Sequence, residues 1–287
     1  MTLQEYKIYF KKEVSEIYTD SESSILFEIF LEHLANFNRF ELRKVLTKEI
    51  EESHFVHLQN LINQLKSGKP YQQILGETEF YGLKFFVDEH VLIPRPETEE
   101  LLELAIQKIQ AARFKMQDSG FKILDIGTGS GIIPIVLKKY FPNAEITAID
   151  FSEKALEMAQ KNADFHEVEI DFIQQDYLNN NLTEKYDVII SNPPYIGRQE
   201  ESEIADSVKE FEPKIALFSP TSNALIFYEK IAKDCENHLT ENGMVFLEIN
   251  QKLGKETRDL FTGVLSEVDL LKDLSGNERF VLGRKGL

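Results

Sequence analysis

Apolar residues in the first 67 positions recur at helical spacing, as at Leu26, Ile29, Phe30 and Leu34, with no alternating strand-like run of comparable length. This spacing predicts a small helical bundle over residues 1–75. Residues 76–96 have a different texture. Between Glu79 and Pro94, aromatic and branched residues flank the turn-forming pairs Tyr81-Gly82 and Asp88-Glu89, which predicts a short β-hairpin connecting two domains. Pro96 and the acidic Glu97, Glu99 and Glu100 then open a helix expected to run to about Met116.

Beyond Gly120 strands and helices alternate, the pattern of a parallel α/β sheet, and residues 97–287 are expected to form one large domain. Strands are predicted at Phe121 to Ile126, Glu145 to Asp150, near Glu169 to Ile173, at Asp187 to Ser191 and at Met244 to Ile249. Helices are predicted at Ile132 to Tyr140, Glu153 to Ala163 and Ala224 to Leu239. Glu267 to Leu271 and Arg279 to Leu282 are expected to close the sheet as a hairpin around Gly276-Asn277.

Composition narrows the class. A length of 287 residues favours one large domain with a smaller one, and a 42% hydrophobic fraction supplies a sizeable core. No apolar run approaches the roughly 20 residues needed to span a bilayer, and the N-terminus lacks a signal-peptide layout, so a cytoplasmic protein is expected. Cys235, the single cysteine, reads as a core residue. A net charge of −17 disfavours tight binding to a phosphate backbone, so nucleic acid is an unexpected partner.

Candidate chemistry begins where an apolar strand enters a glycine-rich turn, Asp125-Ile126-Gly127-Thr128-Gly129-Ser130-Gly131. Glycines let the backbone turn tightly and approach a ligand, and the end of a first strand is where an α/β sheet receives a nucleotide. A dinucleotide fingerprint would place glycine where Ile132 stands, and a P-loop would need a Lys-Ser/Thr pair that is absent. Asp150, ending the second strand, is placed to accept hydrogen bonds from two ribose hydroxyls. Asp125 is placed to orient the loop backbone or to meet a cationic portion of the ligand.

Asn192-Pro193-Pro194-Tyr195 follows a second apolar strand and falls at the same sheet edge. Its chance occurrence in such a chain is on the order of one in a thousand, so a mere loop explains it poorly. An amide or exocyclic amino nitrogen has a delocalised lone pair and is a weak nucleophile toward a sulfonium methyl. If the Asn192 side-chain oxygen and the Pro193 carbonyl accept its N–H bonds, the nitrogen is oriented and favoured in a tetrahedral form. Tyr195 would lay an aromatic surface against the planar group.

Together with Leu92-Ile93-Pro94-Arg95-Pro96-Glu97-Thr98-Glu99 and the closing Arg279-Phe280-Val281-Leu282-Gly283, these motifs resemble the release factor glutamine methyltransferases, also called PrmC or HemK. The resemblance spans nearly the whole chain. It implies a Rossmann-like methyltransferase sheet with an N-terminal helical domain that helps hold a protein substrate. It implies S-adenosyl-L-methionine as cofactor and S-adenosyl-L-homocysteine as product. The implied reaction is methylation of the glutamine amide in the Gly-Gly-Gln motif of class I peptide-chain release factors; separately, a monomer is expected. The resemblance implies cofactor contacts from Gly127, Thr128, Gly129, Asp150, Tyr177 and Asn192; the residues themselves add Asp125, Ser130 and Gly131 as cofactor candidates and Asn192, Pro193, Pro194, Tyr195 and Arg95 as substrate candidates.

Three other readings stay open on the residues alone. A methyltransferase acting on adenine or guanine amino groups of nucleic acid is one, since adenine N6-methyltransferases share the tetrapeptide; a scaffold protein would tolerate Asn192→Ala, and an NAD-dependent oxidoreductase would be stabilised by NADH. Arg95 is placed either to serve the substrate or to bridge the domains, and the acidic run Glu200 to Glu212 reads most simply as a solvated face, or functionally as a mobile lid contacting a basic substrate protein. His33, His54, His57, His90, His166 and His238 form no metal or nucleophile constellation.

Overall fold

A computed structural model describes residues 1–35, 44, 46–50, 52–113, 120–203 and 205–286, without the side chains of 35, 52–54, 113, 198 and 203. The expected helical spacing through residues 36–43, the last residues of the helix expected to reach Met116, and the side chain of His54 lie outside this description. The chain divides into two compact units. One comprises Met1–Glu77 with Asp206–Phe211, the other Thr78–Ala205 with Glu212–Leu287.

The first unit contains helices α1 (Leu3–Glu13), α2 (Asp20–Ala35), α3 (Glu52–Lys66) and α4 (Tyr71–Leu75). Thr2 and Glu5 form a reciprocal capping box that starts α1, each side chain accepting the other's backbone N–H. Leu3, Tyr6, Phe10 and Val14 then fall on one face and bury against Phe27, Phe30, Leu58, Ile62 and Leu65. The helix Asp206–Phe211 returns to this unit, where the Gln73 side-chain amide donates to the Phe211 carbonyl at 2.8 Å.

From Thr78 onward, the second unit contains the hairpin of β1 (Glu77–Phe80) and β2 (Leu83–Phe86). Tyr81 and Gly82, with φ of 53° and 69°, make its two-residue turn, as the sequence predicts. No further strand forms around Asp88-Glu89. Phe80 and Phe85 pack with Leu101, Leu102, Ala105, Ile106 and Ile109 of α5 (Pro96–Arg113), so the hairpin shares the core of this unit.

The sheet that follows has seven strands in the order β5-β4-β3-β6-β7-β9-β8. They are β3 (Lys122–Ile126), β4 (Glu145–Asp150), β5 (Asp171–Gln174), β6 (Tyr186–Ser191), β7 (Leu239–Glu248), β8 (Glu267–Lys272) and β9 (Glu278–Arg284). Pairing is parallel from β5 through β7, and β9 runs antiparallel to both β7 and β8. Alternate residues feed two cores. Ile123, Val188, Ile190 and Phe246 face one side with α5 and α6 (Ile132–Tyr140), and Leu124, Ile126, Ile189 and Val245 face the other with the helix Ile226–His238. The expected Rossmann-like architecture is thus observed.

The chain leaves β3 toward one edge of the sheet through β4 and β5, then crosses back to β6 beside β3. This switch opens a crevice at the carboxyl ends of β3, β4 and β6. Asn162, fully buried on α7 (Glu153–Phe165), braces its floor. Its side chain accepts from the Phe86 N–H at 2.7 Å and donates to the carbonyls of Phe86 (3.0 Å) and Ser130 (2.9 Å). Asn162→Ala leaves the buried Ser130 carbonyl and the partly buried Phe86 backbone without these partners and should destabilise the protein by about 2–3 kcal/mol, read as a lowered midpoint in thermal or urea unfolding. An unchanged midpoint would contradict the bracing role.

Candidate functional site

Sheet register places the motifs together. Ile126 pairs with Ile149 on one side and Ser191 on the other, so the glycine turn, Asp150 and Asn192 emerge from three adjacent strand ends. The Ser191 hydroxyl donates to the Ile126 carbonyl at 2.7 Å and ties the two motif loops at their roots. Gly127 and Thr128 donate their N–H groups to the Ile149 carbonyl, at 2.9 and 3.1 Å. Gly127, Gly129 and Gly131 have φ of 76°, 55° and 79°, a left-handed conformation costly for any side-chain-bearing residue. At Gly131 an added Cβ would also lie 3.0 Å from Ala159 Cβ, so this glycine sets the approach of α6 to α7.

Asp150 binds the turn directly. One carboxylate oxygen accepts from the Gly129 N–H at 2.8 Å and the other from the Ser152 N–H at 2.9 Å. A carboxylate has about four lone-pair positions, so two remain for hydroxyls of a ligand. Burial raises the Asp150 pKa, and the N–H groups of Ser152, Gly129 and Phe151 oppose it.

A cavity of about 670 Å³ occupies the crevice, within the usual range for small-molecule sites. Gly127, Thr128, Gly129, Ser130, Asp150, Tyr177, Asn192, Pro194 and Arg95 line it. Asp125, Gly131, Pro193 and Tyr195 do not. Asp125 is fully buried, and apart from a weak contact between its carboxylate and the buried Thr128 hydroxyl, which opposes the rise in its pKa, neither group has a hydrogen-bond partner. Burial pushes the Asp125 pKa up to about 7. Orphaned acceptors directly beneath a glycine turn suit a ligand that brings donors or positive charge.

Tyr177 is fixed at the cavity wall. Its hydroxyl donates to Asp234 at 2.7 Å, Asp234 is ion-paired to Lys230 at 3.0 Å, and the Lys230 ammonium lies 4.7 Å from the Tyr177 ring centre. Burial and the Asp234 charge raise the tyrosine pKa, so the ring stays neutral.

Asn192 donates its side-chain N–H to the Thr98 hydroxyl at 3.1 Å, and Thr98 donates to Glu248 at 2.7 Å. The Tyr195 hydroxyl donates to the other Glu248 oxygen at 3.2 Å, so this ring is held by the sheet. Asn250 reaches the Tyr195 carbonyl at 3.3 Å. Burial pushes Glu248 up to about 7, while hydrogen bonds from Thr98 and Tyr195 and the charge of Arg279 hold it down.

Arg95 is paired inside the second unit. Its guanidinium donates to Glu212 at 2.6 Å, and the same carboxylate accepts from the Ile93 N–H at 3.1 Å. Glu212 is only 4% exposed, so the end of the run Glu200 to Glu212 is not a solvated face, whereas Glu201, Asp206 and Glu210 are exposed as expected. Glu200 is likewise engaged, with Lys252 at 3.2 Å and Asn250 at 3.0 Å. A buried carboxylate requires such partners, and composition along an acidic run does not reveal them.

Thr98, Glu248, Glu212 and Asn162 were not singled out from sequence. Glu248 had a signal, a lone carboxylate inside the apolar run Met244 to Ile249. The others act through contacts between distant segments. His33 pairs with Glu77, His166 with the Lys84 carbonyl and His238 with the Glu184 carbonyl. Among the described residues no metal-binding cluster occurs, and no helix is long and apolar enough to cross a membrane.

Comparison with known proteins adds family information. A sequence profile described as "PrmC N-terminal domain" matches residues 8–76, and one described as "Methyltransferase small domain" matches residues 106–211. The chain is 42% identical over 284 residues to a release factor glutamine methyltransferase of Flavobacterium psychrophilum, covering 98% of both chains. It is 41% identical to one of Streptococcus pneumoniae, covering 85% of this chain and 84% of that one. The solved catalytic domain of hMettl16, in complex with an RNA hairpin, shares the fold with a TM-score of 0.51 at 15% identity, over 81% of this chain and 82% of that one.

The buried Asp125 generates a pH prediction. Its folded pKa of about 7 lies above the ordinary 3.8, so the native state binds more protons than the unfolded state between these values. Stability of the ligand-free protein therefore falls as pH rises through this window. Thermal unfolding at about pH 5 and about pH 8 should show a smaller decline for Asp125→Asn than for the wild type. Equal declines would contradict the assignment.

Proposed function

We infer the reaction from the premise that the chain belongs to the release factor glutamine methyltransferases. It is an S-adenosylmethionine-dependent methyltransferase that methylates a release factor glutamine. We propose that the acceptor is the glutamine of the Gly-Gly-Gln motif in class I release factors, and that residues 1–75 help hold that protein.

The observation that carries the assignment of residues is the convergence of the glycine turn, Asp150 and Asn192 on one cavity. The turn and Asp150 would hold the nucleoside, with the two unengaged acceptor positions of Asp150 taking the ribose hydroxyls. Tyr177 would pack against the base. Asp125 and Thr128 would meet the amino acid end of the cofactor beneath the turn. When bound, S-adenosylmethionine supplies an electrophilic methyl group on sulfur.

Asn192 and Pro193 do the work on the acceptor. The Asn192 oxygen and the Pro193 carbonyl would accept the two N–H bonds of the glutamine amide, turning its nitrogen toward the cofactor. Positioning matters because the amide lone pair is delocalised, and bonding that favours a tetrahedral nitrogen localises it as the new C–N bond forms. As the C–N bond forms, the methyl's bond to sulfur would break to leave S-adenosylhomocysteine, and the nitrogen would lose its proton to solvent. Pro194 lines the cavity beside them and Tyr195 stiffens the loop through Glu248. Arg95, fixed by Glu212, would shape the substrate side.

Incubation with S-adenosylmethionine carrying a labelled methyl group should label a class I release factor and leave DNA and RNA unlabelled. Asn192→Ala should lower kcat about a hundredfold or more while the cofactor still raises the melting temperature. Label on nucleic acid with none on the release factor would overturn the substrate, and full activity in Asn192→Ala would overturn the site.

A further inference from the structure

The side-chain amide of Asn192 can serve the proposed reaction in only one of its two orientations, and this inference rests on that proposal. The acceptor amide presents N–H donors, so Asn192 must offer oxygen. Turned over, it would set its own NH2 against those donors. Something must therefore choose the orientation before substrate arrives.

We propose that Thr98 and Glu248 are positioning residues that fix the orientation of the Asn192 amide through a hydrogen-bond chain of defined polarity. Above its raised pKa of about 7 Glu248 is ionised and has no proton to give, so both of its oxygens accept, one from Thr98 at 2.7 Å and one from Tyr195 at 3.2 Å. The Thr98 hydroxyl has a single proton, and Glu248 takes it. Toward Asn192, Thr98 can then only accept, so the atom facing it must be the amide nitrogen, at 3.1 Å. No hydrogen bond engages the amide oxygen among the described residues, and Asn192 lines the cavity.

Burial makes this selection strong. Thr98 and Glu248 are each only 1% exposed, so water cannot replace a lost partner. The segments involved are also separately anchored. Thr98 lies in the first turn of α5, Glu248 ends β7, and Tyr228 donates to the Glu248 carbonyl at 3.0 Å. The chain thus transmits the rigidity of a central strand to a loop whose own backbone is irregular.

The test uses the full-length enzyme with a class I release factor as acceptor and compares Thr98→Val, Thr98→Ser and Asn192→Ala. Valine keeps the shape and removes the hydroxyl, and serine keeps the hydroxyl. Thr98→Val should lower kcat about tenfold or more, with KM for the release factor and the cofactor-induced rise in melting temperature little changed, and Thr98→Ser should restore most of the rate. A kcat for Thr98→Val within about twofold of wild type would overturn the proposal. So would an equal loss in Thr98→Ser, or a loss confined to KM or to the cofactor-induced shift. If Asn192→Ala itself keeps full activity, the reading of the site fails instead, which separates the two failures.

Discussion

The parallel register of β3 with its two neighbours is the constraint on which the site depends. Because Ile126 sits opposite both Ile149 and Ser191, three loops distant in sequence leave the sheet at one level. A slip of one residue in either pairing would turn every side chain of that strand to the opposite core. Register is therefore held by the packing of both cores, and the site inherits that precision. Backbone hydrogen bonds from Gly127 and Thr128 to Ile149, and from Ser191 to Ile126, lock the loops where they begin.

On this frame the cavity contains two chemically distinct regions. Around the glycine turn, the backbone and the Asp150 carboxylate, with Asp125 buried behind them, suit a nucleoside with a cationic amino acid portion. Around Asn192, one amide oxygen and a proline-rich backbone suit an uncharged planar group. Methyl transfer needs this combination, since the donor carries its own activation and the acceptor needs orientation more than a strong base. Glu248 and Glu212, both buried, each hold segments that sequence separates widely, namely the start of α5, the tetrapeptide loop and the chain entering from β2.

Much of this was legible in the sequence. The helix Ile132–Tyr140 and the strand Glu145–Asp150 lie where periodicity placed them, because strongly amphipathic and continuously apolar runs leave little choice. Strand β7 starts at Leu239 instead of Met244, since Asn242 and Gly243 read locally as a turn, yet Asn242 adopts φ of 63° within the strand. The glycine turn, Asp150 and Asn192 were readable because their chemistry is carried by short motifs. Thr98, Glu212 and Asn162 were not, because each acts across a separation of 32 to 150 residues, where only the fold makes neighbours. Arg95 was visible as a candidate, and its partner became visible only when Glu212 proved buried.

Fragmentation mass spectrometry of a class I release factor, before and after incubation with the enzyme and S-adenosylmethionine, tests the central claim most directly. A single added methyl group on the side-chain nitrogen of the glutamine in Gly-Gly-Gln is the predicted result. An unmodified glutamine, with the methyl group on another residue or absent, would contradict it.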